Sequence, residues 1–231
     1  MDGTEMIKIL EPCTLDNGSY AAICFDAMVK LSENSYLVTD SESGDDKPIL
    51  ERNYVLSMVF QMGKSTKEDS NFGTNVFPSG ENNKYIGANL DEIMNTYNEL
   101  YEKNLKPPFE VIPDLVIHTS HNPNSGNSDS QFIAIEAKTT KSLGKVAFMR
   151  DLFKLNVYLC DLNYKNAVYL IINTSKERIE NLIKYYFDNS YFYKKYELER
   201  LLFYIQEDLN SSPAVYKLTE GYINTIEDKV L

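Results

Sequence analysis

Three residues of this chain have types and spacing that could do chemistry: Asp114, which follows Pro113, and Glu136 and Lys138, separated by Ala137. They fall in two short segments, 109–118 (FEVIPDLVIH) and 131–138 (QFIAIEAK), whose β-branched and apolar residues predict strands. Side chains alternate along a strand, so Glu136 and Lys138 share one face while Ala137 turns to the other. If Asp114 lies on the neighbouring strand, its carboxylate reaches the same place. Two carboxylates and the backbone carbonyl of Ala137 are hard oxygen ligands of the kind Mg²⁺ accepts, with Mn²⁺ as the alternative. The Lys138 ammonium beside such an ion would orient or activate a water and offset charge building on a phosphate.

An acid-x-Lys triplet alone carries little information. Asp45-Asp46-Lys47 lies in a polar tract and Glu227-Asp228-Lys229 lies near the end of the chain, and both match it by composition. The triplet at 136–138 differs because it ends an apolar strand and follows a second apolar strand bearing Pro-Asp. A carboxylate within FIAIEAK is costly to bury unless it is paired or bound to a metal. The plainer alternatives are that Asp114 is a turn or strand-start acid and that Glu136 and Lys138 simply pair with each other.

The elements that must position these residues follow from the period of the apolar side chains. Helical spacing recurs over 20–31, 50–62 and 90–101, with Gly63 as the stop of the second helix. The acidic tract 40–48 (DSESGDDKP) reads as an exposed loop, and 65–88 as loops with one or two short strands near Asn75-Val76-Phe77. Pro107-Pro108 ends any helix and starts an extended chain. The two strands 109–118 and 131–138 are then adjacent, joined by the turn-rich tract 119–130. A helix over 146–162, a strand over 167–172 and helices over 176–187 and 193–205 complete the reading. Helices bracketing strands in this alternation imply an α/β layered domain.

Taken together, the residues resemble the PD-(D/E)xK, or restriction-endonuclease-like, nuclease superfamily. There an acid follows a Pro on one strand and Glu-x-Lys lies on the next. Glu51, in LERNYVLSMVF, resembles the early Glu of the helix that precedes the pair. The run Asp151-Leu152-Phe153-Lys154-Leu155 resembles the D-x-x-K-L helix that follows the Lys in bacterial members, and 167–172 resembles the last core strand. The resemblance implies one domain over 1–231, α/β in class, with a three-layer core at about 50–187 in which a mixed β-sheet is flanked by helices. It leaves 1–48 and 188–231 as N- and C-terminal helical extensions. The resemblance further implies Mg²⁺ or Mn²⁺ held by Asp114, Glu136 and the Ala137 carbonyl, with Lys138 positioning the attacking water. Glu51 would bind a second metal or orient the ligands, and Asp151, Lys154 and Lys141 would support the site or face substrate. The implied activity is in-line hydrolysis of phosphodiester bonds, in DNA, leaving a 5′-phosphate, in a bacterial or phage setting.

Simpler roles exist for several of these residues. Glu51 suits a helix start through the dipole alone, and Asp151 and Lys154 are spaced for a surface ion pair. His118 and His121 read as loop residues. The aromatic stretch 185–196 could stack on bases, although core packing is the commoner use of such residues.

Composition narrows the partners. The 231 residues carry 34 acids against 23 Lys and Arg, a net charge of −11. A protein that grips nucleic acid unaided usually shows a basic face. Either Lys138, Lys141, Lys145, Arg150 and Lys154 gather around the site, or a separate subunit or homo-oligomer holds the substrate. Cys13, Cys24 and Cys160 are odd in number and widely spaced, which reads as free or buried thiols in a reducing compartment. No apolar run is long enough to span a membrane and the N-terminus lacks the pattern of a secretion signal, so a cytoplasmic protein is expected. The rival in a different class is a catalytically inactive interaction module that keeps the same fold. A third reading is an unrelated acidic α/β domain.

Overall fold

Hydrophobic period and turn residues divide the chain into short strands separated by amphipathic helices. The computed structural model describes residues 8–33, 51–65, 76–80, 84–86, 89–119, 131–189 and 197–230. In chain order the first elements are β1 (Leu10–Pro12), α1 (Tyr20–Glu33), α2 (Glu51–Ser65), β2 (Val76–Gly80), β3 (Lys84–Tyr85) and α3 (Leu90–Tyr101). Then come β4 (Glu110–Val111), β5 (Leu115–Thr119), β6 (Gln131–Lys138), α4 (Lys145–Cys160) and β7 (Asn166–Ile172). The chain closes with α5 (Lys176–Asp188), β8 (Leu201–Gln206), β9 (Ala214–Leu218) and α6 (Glu220–Val230).

Seven strands form one mixed sheet in the order β1-β9-β8-β7-β6-β5-β2. The centre, β6-β7-β8, is parallel, and the flanking pairs are antiparallel. Continuous burial of β7 and β8 fits their central place, because a parallel strand is covered on both faces. Alternation sorts the sheet's side chains into two cores. Ile133, Ile135 and Ala137 join Leu115, Ile117, Val168 and Leu170 beneath α1 and α2. On the other face Ala134, Val116, Tyr169, Ile171 and Phe203 pack with α4 and α5 and with Ile93 and Met94 of α3. The result is an α/β fold of three layers, helices on both sides of a mixed sheet.

Four expectations need correction. The segment 109–118 is not one strand: β4 pairs with β3 in a separate two-stranded sheet, and β5 begins only at Leu115. Pro113, which has no N–H for the ladder, falls in the break, and Asp114 stands just before β5. The helix expected over 193–205 does not form over its described part, where a single 3-10 turn at Leu198–Arg200 leads into β8. All six residues of β8 are buried, which leaves no polar face for a helix to turn outward. The ends of the chain are therefore not purely helical extensions, because β8, β9 and β1 widen the sheet beyond β7. Finally, α2 runs through Gly63 to Ser65. The tract 40–48, His121, most of the 119–130 connection and residues 190–196 lie outside the described residues.

Candidate active site

The antiparallel register of β5 on β6 sets Leu115 against Ile135, so Asp114 stands opposite Glu136 and on the same face. The backbone N–H of Asp114 donates to the Ile135 carbonyl at 3.1 Å. In return, Asp114 Oδ2 accepts from the Ala137 N–H at 2.7 Å. This exchange pins the Asp114 carboxylate against the end of β6.

Glu136 points from β6 towards α4 and is 1% exposed. Its Oε1 accepts from the Tyr158 hydroxyl at 2.6 Å, and its Oε2 takes the ammonium of Lys154. Two residues on, at the strand end, Lys138 reaches several groups at once. Its Nζ donates to Glu51 Oε1 at 2.9 Å and to the Ala137 carbonyl at 2.8 Å, and lies 3.3 Å from Asp151 Oδ2. Asp151, also 1% exposed, accepts from the Tyr169 hydroxyl at 3.1 Å and has Lys154 at 3.6 Å and Arg150 at 3.9 Å. Side chains from α2, the start of β5, β6, α4 and β7 thus meet in one network. Solvent touches it through Glu51, Lys154 and Lys138, whose side chains are 37%, 18% and 14% exposed.

Of the residues expected at the site, Asp114, Glu136, Ala137, Lys138, Glu51, Asp151 and Lys154 all join this network; Lys141 is an exposed residue of the β6–α4 connection. Two alternatives fail. Glu136 does not pair with Lys138 but with Lys154, and Asp151 is buried, not a surface partner of Lys154. The basic residues do not all gather, since Lys145 lies 3.8 Å over the Tyr185 ring. His118 belongs to β5 and not to a loop. Tyr186 and Phe187 of the aromatic stretch are core residues, and the triplet Glu227-Asp228-Lys229 lies in a helix.

Tyr158 and Tyr169 were missed by sequence reasoning. A signal existed for the first: Asp151, Lys154 and Tyr158 are spaced i, i+3 and i+7, one face of a helix. For the second the signal was a lone hydroxyl in the otherwise apolar run AVYLII, opposite Glu136 in register.

Burial dominates the electrostatics. It pushes the Glu136 carboxyl up to about 8, with Lys154 offsetting part of the rise and Asp114 and Asp151 adding to it. Burial likewise raises Asp114, against the pull of the Ala137 N–H and Lys138, and raises Glu51, against its bond to Lys138. For Lys138 burial works downward, but Asp151, Glu51 and Asp114 outweigh it and the ammonium is held above its usual range. The Tyr158 and Tyr169 hydroxyls are raised well above theirs, by burial and then by Glu136 and Asp151 respectively, so both act as donors.

No three Asp, Glu, His or Cys side chains among the described residues are grouped as a ready-made metal cage. The donor chemistry nonetheless suits one hard divalent cation. Four acidic side chains (Glu51, Asp114, Glu136 and Asp151) face two ammoniums (Lys138 and Lys154) and the more distant Arg150 guanidinium, so acidic groups outnumber basic ones in the cluster. Two of the oxygens expected to bind a metal, Glu136 Oε2 and the Ala137 carbonyl, already hold cationic ammonium groups. Mg²⁺ commonly takes only one or two carboxylates from a protein and completes its shell with water and substrate phosphate.

Comparison with protein-family models finds no match, and searches of curated proteins and of solved structures find none either. Among the described residues no helix is long and apolar enough to cross a membrane. The three cysteines are free thiols.

Proposed function

We propose that this chain is a metal-dependent nuclease of the PD-(D/E)xK type that hydrolyses phosphodiester bonds in DNA at Asp114, Glu136 and Lys138. The observation that supports this reading is that Asp114, Glu136 and Lys138 all lie around the end of β6, with Glu136 buried beneath and solvent reaching Lys138 and Glu51. The chain order of α2 with Glu51, β5, Glu-Ala-Lys on β6, α4 with Asp151 and Lys154, and then β7 is the order that the resemblance requires. On this reading the protein is of bacterial or phage origin and works in the cytoplasm of a bacterial cell.

In this reading Asp114, Glu136 and the Ala137 carbonyl would hold Mg²⁺ or Mn²⁺. The ion, when bound, supplies Lewis acidity to the phosphoryl oxygen and makes water a better nucleophile. Lys138 orients the attacking water at its ammonium, and Glu51 and Asp151 fix where that ammonium sits. The water oxygen bonds to phosphorus in line with the departing 3′ oxygen as the water gives up a proton to solvent, the phosphorus–O3′ bond breaks, the 3′ oxygen takes a proton from solvent to become a hydroxyl, and the new phosphate stays on the 5′ side. The test is cleavage of plasmid and single-stranded DNA with Mg²⁺ or Mn²⁺ by wild type and Lys138→Ala. Metal-dependent cleavage lost in the variant supports the proposal, and equal inertness on every nucleic acid tried overturns it.

A second reading, a non-catalytic interaction module, is favoured by the internal satisfaction of the site: both Glu136 oxygens and the Ala137 carbonyl have partners within the protein. Thermal stability separates the two. A site that takes metal raises the melting temperature with added Mn²⁺ by mass action, and Glu136→Ala removes the rise; an interaction module shows neither effect. With a net charge of −11, a second copy of the chain or a separate subunit supplies the grip on DNA.

A further inference from the structure

Lys154 occupies an unusual position for a helix lysine. Its ammonium lies against Glu136 Oε2 and 3.6 Å from Asp151 Oδ1, one turn back on the same helix, an oxygen that Arg150 Nε approaches only to 3.9 Å. The remaining oxygens of both acids are committed elsewhere. Glu136 Oε1 holds the Tyr158 hydroxyl, and Asp151 Oδ2 holds Tyr169 and Lys138. The two oxygens facing Lys154 are therefore alternative seats for one ammonium, reached by a small swing of a partly exposed side chain.

We propose that Lys154 is a resident cation that holds the Glu136 carboxylate in the metal-free protein and cedes it to a divalent ion by moving to Asp151. The inference rests on the metal-site reading given above and adds to it a residue that sets how tightly the ion binds. Whenever it is ionised, a carboxylate as buried as Glu136 needs a cation beside it, because an unpaired buried charge is strongly destabilising. Lys154 meets that need without closing the site, since its second seat stays on the same helix. Asp151 receives the displaced ammonium, so the charge of Lys154 is never left unpaired. The ion must compete with this ammonium, and the affinity of the site is lowered accordingly.

The experiment is Mn²⁺ titration of the full chain by calorimetry and thermal melting, comparing wild type, Lys154→Met, Lys154→Arg and Glu136→Gln. Removing the competitor in Lys154→Met tightens Mn²⁺ binding by about tenfold, the scale of one charge-assisted hydrogen bond, and enlarges the Mn²⁺-induced rise in melting temperature. Lys154→Arg, which keeps the charge, binds no tighter than wild type, and Glu136→Gln loses binding. Lys154→Gln keeps a donor towards Glu136 without the charge, and shifts in the same direction where the Met variant does not fold. Equal or weaker binding by both neutral variants, with binding still dependent on Glu136, overturns the role of Lys154 and leaves the metal site standing. Absence of Glu136-dependent Mn²⁺ binding in wild type and neutral variants alike overturns the metal site and this inference with it.

Discussion

Replacing Glu136 with glutamine gives a stability signature whose sign and size follow from the burial of one carboxyl. Its pKa rises from an ordinary 4.5 to about 8 in the folded protein, so the folded state binds that proton more tightly than the unfolded chain does. Its contribution is most favourable below the ordinary value and is lost as pH rises through about 8. Each pH unit in that window costs about 1.4 kcal/mol, and the whole window about 5 kcal/mol as an order of magnitude. Asp114 and Glu51 shift in the same direction, but both remain in the variant. In Glu136→Gln the amide oxygen still accepts from Tyr158, and the amide nitrogen faces Lys154 at a cost that does not vary with pH. The difference in unfolding free energy, variant minus wild type, therefore climbs with pH from about pH 5 to about pH 8. Urea unfolding of both proteins at several pH values, with EDTA present, measures it directly. Parallel stability profiles for the two proteins would refute the reasoning, because they would mean that Glu136 titrates normally in the folded state.

Three further substitutions probe the network and the sheet. Asp151→Asn leaves two partly buried ammoniums short of their shared carboxylate and is expected to cost about 3 kcal/mol of stability in chemical denaturation. Glu51→Gln acts on a more exposed group that touches Lys138; under the proposed function it should slow metal-dependent cleavage by about tenfold or more while the melting temperature changes little. Phe203→Ala empties a fully buried position on β8 and is expected to cost about 3–5 kcal/mol, whereas a residue on a surface helix would cost far less.

Where the sequence was legible, a local pattern and the final environment agreed. The strand expected over 131–138 is β6 with the same bounds, and the helix expected over 90–101 is α3. Both segments carry their burial period in their own residues. The segment leading into β8 follows a charged stretch, KKYELER, with apolar residues at helical spacing; only the open edge of β7 decides that LLFYIQ is extended. The candidate site divides the same way. Alternation predicted that Glu136 and Lys138 share a face, yet side chains two apart on a strand stand side by side and need not touch. A lysine descending from α4 meets Glu136 head on, and Lys138 curls around the strand end to Glu51. The i, i+3 spacing of Asp151 and Lys154 was visible, but not that this face of α4 lies against the sheet, which is what buries Asp151.

The charge balance of the site also bears on how a substrate would be held. Lys138 and Lys154 are each in contact with two carboxylates, so neither offers a surplus positive charge to an incoming phosphate. A metal-free site whose cations are already engaged by its own acids, in a chain of net charge −11, offers little attraction to the phosphodiester it would cleave. Under the proposed function a divalent ion at Asp114, Glu136 and the Ala137 carbonyl would supply the positive charge that the phosphate oxygens need. Binding of a short duplex, followed by fluorescence anisotropy at fixed ionic strength, is expected to be weak in EDTA and at least about tenfold tighter with Ca²⁺, a non-redox divalent that takes the same hard oxygen ligands. The gain should vanish in Glu136→Gln. Equal affinity with and without the ion would mean that the substrate is held by basic groups elsewhere and that the acid cluster plays no part in its capture.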